Sequence, residues 1–239
     1  MNRLFLVTAA LITCLALPLT ASAEGFGINT TRLIYPQGER SITVVVRNTL
    51  SSQPYLVQAS VSNSRDGVAP SEFFTVTPPL FRLEPNSTNH IRIAGYTKSL
   101  PTDRESVFFF HTRAIPGSIA PANDKPVAGV RGNVQLGVGN SIKLFYRPAG
   151  LSTTAAQAQK GLHFSLVNNG LRVSNPSPYY VSLAGISVMG QPVKLDTPGA
   201  LMLSPFGEYT YPTTVKTGTV QWKTINDLGG IDAFIYALP

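Results

Sequence analysis

Residues Val130 to Arg147 read VRGNVQLGVGNSIKLFYR. Val134, Leu136 and Val138 recur at every second position, with Gln135, Gly137 and Gly139 between them. A period of two is the period of a β-strand, whose side chains point alternately to opposite faces. The stretch changes character at Ser141-Ile142-Lys143-Leu144-Phe145-Tyr146 and stops at Arg147-Pro148. Whether its first half lies on a sheet edge decides what it can pair with.

Upstream, the signals are again those of strands. Ile28 to Tyr35, Ser41 to Asn48, Tyr55 to Val61, Phe73 to Val76, Leu80 to Leu83, His90 to Ala94 and Val107 to Ile115 are β-branched, aromatic or alternating. Turn signals such as Ser64-Arg65-Asp66-Gly67 and Glu84-Pro85-Asn86 separate them. Short strands with turns at ~8–12-residue spacing predict an immunoglobulin-like sandwich. The pattern restarts beyond Arg147-Pro148-Ala149-Gly150: Leu162 to Asn168, Leu171 to Asn175, Tyr179 to Met189, Pro192 to Leu195, Glu208 to Val215, Thr219 to Ile225 and Ile231 to Leu238. No segment sustains a helical period. Thr153 to Lys160, an Ala/Gln stretch, reads as linker or loop. The expected architecture is therefore all-β, with two β-sandwich domains, residues 24–148 and 149–239.

Asn2-Arg3, an apolar run from Leu4 to Leu19 and the small residues Ala21-Ser22-Ala23 form a secretory signal peptide, residues 1–23, with cleavage expected near Ala23. No later stretch is long and apolar enough to span a bilayer as a helix, so no membrane insertion is expected. Cys14 is the single cysteine and lies in the leader, so the mature chain relies on its cores without a disulfide. The 19 basic residues less Arg3 leave 18 against 12 acidic, a net charge of +6. The basic residues are scattered, whereas a nucleic-acid footprint would cluster them.

The sequence offers no enzyme. His90, His111 and His163 each sit within a strand, and no nucleophile elbow, zinc motif, calcium loop or phosphate loop accompanies them. No cofactor or metal is expected. What remains is a set of charges within β structure. Arg32 stands between Thr31 and Leu33, and Lys143 between Ile142 and Leu144. A cation in an apolar strand costs desolvation unless an anion meets it. The anion is either a carboxylate of the same chain, with snorkelling to solvent as the other bland outcome, or one supplied by a partner. Glu105, Arg147 and Asp227 form a second set: a buried network fixing the angle between domains, or three surface charges.

Several motifs then converge. Ile142-Lys143-Leu144-Phe145-Tyr146-Arg147-Pro148, Thr31-Arg32-Leu33-Ile34-Tyr35, Thr77-Pro78-Pro79 with Arg82-Leu83-Glu84-Pro85, Asp103 to Phe110, Asn175 to Tyr180 and Ile225-Asn226-Asp227 occur in that order. Over essentially the whole mature chain the sequence resembles the PapD-like periplasmic pilus chaperones of the chaperone–usher pathway. The resemblance implies a boomerang of two immunoglobulin-like domains with a cleft between them, a periplasmic location, pilin or fimbrial subunits as clients and an outer-membrane usher as recipient. It implies that Arg32 and Lys143 bind the subunit's C-terminal carboxylate. Val134, Leu136 and Val138 would enter the groove of a pilin that lacks its last strand, with Val130 a weaker candidate. Glu105, Arg147 and Asp227 would form the interdomain charge network. The same uncovered edge admits self-association of the free chain.

Two features depart from the pattern. The segment between Pro116 and Val134 is longer than in short-loop members, and the disulfide that long-loop members generally carry is absent. Lys143 also has the opposite parity to Val134, Leu136 and Val138, which predicts a bulge or strong twist at Gly139-Asn140-Ser141. The alternatives from the residues alone are an exported immunoglobulin-like pilus subunit or adhesin, and a secreted β-sandwich enzyme or carbohydrate-binding module. Against the module, Trp222 is the single tryptophan and cannot form an aromatic platform by itself.

Overall fold

The computed structural model describes residues 24–117, 136–215 and 217–238. The leader, Val130 and Val134 lie outside the described residues. Among the described residues the first half contains nine strands: β1 (Phe26–Ile28), β2 (Arg32–Pro36), β3 (Ser41–Asn48), β4 (Tyr55–Ser62), β5 (Phe74–Thr77), β6 (Leu80–Leu83), β7 (Ser87–Gly95), β8 (Ser106–Pro116) and β9 (Val138–Arg147). They form two sheets, ordered β1-β3-β7-β5 and β2-β9-β8-β4-β6. Val44, Val46, Ile91 and Ile93 from one sheet meet Tyr35, Val57, Phe110, Leu144 and Tyr146 from the other in a single buried cluster. Alternation drives this arrangement: β4 buries Tyr55, Val57, Ala59 and Val61 and exposes Leu56, Gln58 and Ser60. Each fully buried large side chain contributes roughly 1.5–3 kcal/mol.

The second half begins with helix α1 (Ala155–Lys160) and continues as β10 (His163–Val167), β11 (Gly170–Ser174), β12 (Val181–Val188), β13 (Gln191–Pro192), the short helix α2 (Pro198–Leu201), β14 (Met202–Leu203), β15 (Glu208–Tyr211), β16 (Thr219–Ile225) and β17 (Ile231–Ala237). One sheet is ordered β10-β11-β15 and the other β13-β12-β16-β17, with β14 also on β12. A second core, including Leu171, Val181, Val188, Leu203, Tyr211, Val220 and Trp222, fills the space between them. The chain is thus an all-β protein of two sandwich domains.

Three expectations are corrected. The expected strand Ile28 to Tyr35 is two strands in different sheets: β1 pairs antiparallel with β3, and β2 pairs parallel with β9. The crossing is made at Asn29 to Thr31, where Asn29 N donates to Val45 O and Thr30 Oγ1 bonds Arg32. Both halves are rich in strand formers, so composition carries no sign of the switch. Thr153 to Lys160 is not a loop. Thr154 caps α1 through a reciprocal box with Gln157, and Ala158 and Gln159 are buried. A T-x-x-Q box is visible in sequence, but six residues are too few to show a helical period. Finally, of the bulge or strong twist expected at Gly139-Asn140-Ser141, the bulge is absent: the β8–β9 register runs unbroken from Ala114↔Val138 to Ser106↔Tyr146.

Candidate functional site

The two halves of β9 have different neighbours. From Lys143 to Arg147 it lies between β8 and β2, in register Arg32↔Lys143 through Pro36↔Arg147. From Val138 to Ile142 it pairs with β8 alone among the described residues. One row of backbone groups there has no neighbouring strand. An edge of this kind is a template for another strand.

Because the register is regular, the two faces of β9 do different work. Val138, Ile142, Leu144 and Tyr146 share the core face, with Leu144 and Tyr146 fully buried. Towards the free end the same row leaves the sandwich: Val138 is 43% exposed and Leu136 80%. The apolar row is an extension of the protein's own core face beyond its own core. Ser141, Lys143, Phe145 and Arg147 point the other way, the last three towards the second domain.

On that second face Lys143 Nζ donates to Ser182 Oγ at 3.1 Å. Phe145 packs against Tyr180 with ring centroids 5.8 Å apart. Arg32, opposite Lys143 in the ladder, is only 8% exposed. Its Nη1 donates to Ile225 O at 2.7 Å, while its Nε is buried without a hydrogen-bond partner. Among the described residues neither cation makes an ion pair with a carboxylate of the chain. Burial holds the Arg32 guanidinium below its ordinary value, against the attraction of Asp227 and Glu105. Lys143 is held down to about 8, first by burial and then by Arg32 and Arg65. Two desolvated cations side by side are a costly arrangement for a folded chain and a favourable one for an arriving anion.

Four residues further along, Arg147 joins three segments far apart in sequence. Its Nε donates to Glu105 Oε1 at 2.7 Å, and its Nη1 and Nη2 hold both oxygens of Asp227 at 2.7 and 3.0 Å. Glu105 Oε2 accepts from Tyr180 N at 2.9 Å, and Glu105 N donates to Pro178 O. The Glu105 side chain is 2% exposed, that of Asp227 39%. Burial raises the Glu105 carboxyl above the usual carboxylate range while Arg147 opposes it. Burial alone would lower Arg147, but Asp227 and Glu105 together drive it upward.

Two family models cover this chain. The N-terminal domain model of PapD, described as a pili and flagellar-assembly chaperone, matches residues 25–152, and the C-terminal domain model of the pili assembly chaperone PapD matches residues 157–236. The chain belongs to the PapD-like pilus-assembly chaperone family. The probable fimbrial chaperone protein ElfD of Escherichia coli K12 is 35% identical over 225 residues, covering 93% of this chain and 90% of ElfD. Among solved structures, the E. coli chaperone DraB superimposes with a TM-score of 0.75 at 32% identity, covering 90% of this chain and 98% of DraB. The Salmonella enterica SafB chaperone complex with the SafA pilin gives 0.74 at 31%, covering 92% of this chain and 99% of the matched one.

Within this PapD-like chain the structure places Arg32 beside Lys143, and Glu105 and Asp227 on Arg147, although each group comes from separate segments. Leu136 and Val138 stand on one exposed face next to the free edge. Sequence reasoning passed over four participants. Ser182 and the Ile225 carbonyl hold Lys143 and Arg32, Tyr180 seats Glu105, and Arg65 adds charge near Lys143. Ser182 lies two residues past the Tyr179-Tyr180 motif, which is its nearest signal. A backbone carbonyl has none.

Proposed function

We propose that this protein is a periplasmic chaperone of pilus subunits that completes a subunit's sandwich with the free edge of β9 and anchors the subunit's C-terminal carboxylate on Arg32 and Lys143. Domain 24–148 would supply the edge and domain 149–239 the far wall of the cleft. The subunit would then pass to an outer-membrane usher. The leader read from residues 1–23 of the sequence, with cleavage expected near Ala23, and the similar solved structure of SfaE, a periplasmic chaperone, support the compartment.

The observation that carries this reading is the position of the two cations. They sit in register at the point where β2 stops covering β9. A strand that fills the uncovered half and ends at Arg32 is collinear with β2 and runs parallel to β9, as β2 does. Its main chain satisfies the free edge, and its carboxylate reaches one buried donor, Arg32, and one half-buried donor, Lys143. Leu136 and Val138 would enter the same apolar layer as Leu144, joining the two cores. A one-residue slip would turn every side chain to the wrong face, so the anchor fixes the register.

Leu136→Glu is expected to leave the chaperone folded, because the side chain is exposed. It should prevent complex formation, because a carboxylate entering an apolar groove costs several kcal/mol. Co-purification of subunits from periplasm, identified by mass spectrometry, reads this directly. An undiminished complex would remove the edge from the proposal.

Subunit capture should also depend on pH through Lys143. Only the ammonium form attracts a carboxylate. Affinity is therefore expected to be level below the lysine's value of about 8 and to fall roughly tenfold per pH unit above it, until the complex's own lysine titrates. Lys143→Arg should flatten the profile, since a guanidinium stays charged throughout. Retention of subunit measured across this range in both proteins checks it; equal slopes would contradict the role.

A further inference from the structure

The turn Ser64 to Gly67, between β4 and β5, is fastened onto the outward face of the β9 sheet. Ser62 Oγ donates to Ser64 O at 2.5 Å and meets His111 Nε2 at 2.7 Å. Gly67, at φ +76°, lies over the His111 ring, where a Cβ would touch Cε1 at 3.5 Å. Ser141 Oγ donates to Arg65 O at 3.4 Å, and Ser141 is the ladder partner of His111. The turn therefore rests on β8 and β9 two residues before Lys143, on the face that carries Lys143.

The charges of the turn are divided unequally. Asp66 is used locally: its Oδ1 accepts from Ser64 Oγ at 2.5 Å and Val68 N at 3.0 Å, and the Ser64 bond, first among the causes, holds its carboxyl below the usual range. Arg65 is exposed and makes no ion pair among the described residues. Its charge adds, after burial and Arg32, to what disfavours the Lys143 ammonium. The capture edge thus carries a third cation, held by a docked turn, alongside the uncovered half of β9.

We infer that Arg65 is a specificity-determining residue that selects subunits with an acidic side chain in the outward-facing position just before the C-terminus. The inference rests on the capture reading above. A strand parallel to β9 and ending at Arg32 alternates its side chains between the core face and the face of Ser141 and Lys143. The last outward-facing side chains would pass beside the turn that carries Arg65, while the terminal carboxylate is taken by Arg32 and Lys143. An aspartate or glutamate there meets a free guanidinium, and a lysine meets like charge. The contact is solvent-exposed, so it discriminates modestly and weakens with salt.

The test uses the full mature chain and short synthetic peptides of alternating apolar and polar residues, labelled at the N-terminus. One series ends in a free carboxylate and carries Asp or Lys at each of the last few positions in turn; a second series is amidated. Binding is followed by fluorescence anisotropy at low and high salt. Wild type is expected to prefer Asp over Lys by roughly fivefold at positions of one parity, with most of the preference lost at high salt. Arg65→Glu should reverse that preference without changing the effect of amidation. If amidation weakens binding but the Asp/Lys ratio is the same in wild type and Arg65→Glu, Arg65 has no selective role. If free and amidated peptides bind alike, the carboxylate anchor fails, and this inference fails with it.

Discussion

Alanine at Arg32 or at Lys143 is expected to abolish capture of pilus subunits while leaving the chaperone as stable as the parent. The two halves of this expectation have one cause. Among the described residues Arg32 is buried with Nε unpartnered, and Lys143 has only Ser182 Oγ as a side-chain partner. Neither has a carboxylate of its own among the described residues. Lys143's ordinary value of 10.5 falls to about 8 in the folded chain. Its charged form therefore costs the fold, on the order of a few kcal/mol before solvent screening. The sign follows from proton binding. Between these two values the unfolded chain holds more protons, so stability rises with pH, and the penalty is fully present below about 8. Removing the ammonium removes the penalty. Lys143→Ala should melt at or slightly above the parent temperature.

Binding responds in the opposite sense. A terminal carboxylate brought into the cleft of such a variant loses one of two desolvated donors. Truncating one partner of a buried, hydrogen-bonded charge pair costs about 2–5 kcal/mol, a loss of roughly 30-fold to several thousand-fold. Co-purification of subunits together with circular dichroism and thermal melts separates the two effects. A normal subunit yield from either variant, with the fold intact, would end the anchor assignment. A large loss of stability would show instead that the cations hold the fold. On the proposed reading the folded chain tolerates an unfavourable pair of charges because the client neutralises it.

The sequence made this pair conspicuous because both cations interrupt apolar strands. Strand-forming composition and flanking polar or turn residues marked β3, β6 and β16 to the residue. Where the period is too short to register, as in α1, or where two strands share one run of strand formers, as in β1 and β2, reading along the chain failed. The bulge expected in β9 followed from assuming that the apolar row and Lys143 must face the same way. The regular ladder leaves the row on an extension of the chain's own core face and turns the lysine to the opposite face, towards Ser182, so no bulge is needed. Ser182, the Ile225 carbonyl and Arg65 were illegible for a different reason: each acquires its place only when distant segments meet. The grouping of Glu105, Arg147 and Asp227 is of that kind too: the residues alone left a buried network and three surface charges equally open, and the family resemblance favoured the network.

Arg147 carries the other large effect. Arg147→Ala is expected to cost about 3–5 kcal/mol of stability, because it leaves an uncompensated charge in the interior. That charge is Glu105, whose side chain is 2% exposed and whose remaining partner is Tyr180 N. Asp227, at 39% exposure, regains water and adds little. Asp227→Ala alone should therefore cost far less, about 1 kcal/mol or below. Urea denaturation of the mature chain reads both, and an Arg147→Ala midpoint equal to the parent's would refute the assignment. Adding Glu105→Gln to Arg147→Ala should restore much of the stability, since a neutral amide oxygen still accepts from Tyr180 N without demanding a cation. Capture should not recover with it. Asp227 lies two residues from Ile225, whose carbonyl holds Arg32 Nη1 at 2.7 Å. Without Arg147 the turn that positions this carbonyl is no longer tied to β9, and the Arg32 side chain loses its reference to the cleft. The double variant would then be stable and still defective, which a purely structural role for Arg147 does not allow. If stability and capture return together, the network serves the fold alone, and the geometry of the anchor is set by β2 and β9 without the second domain.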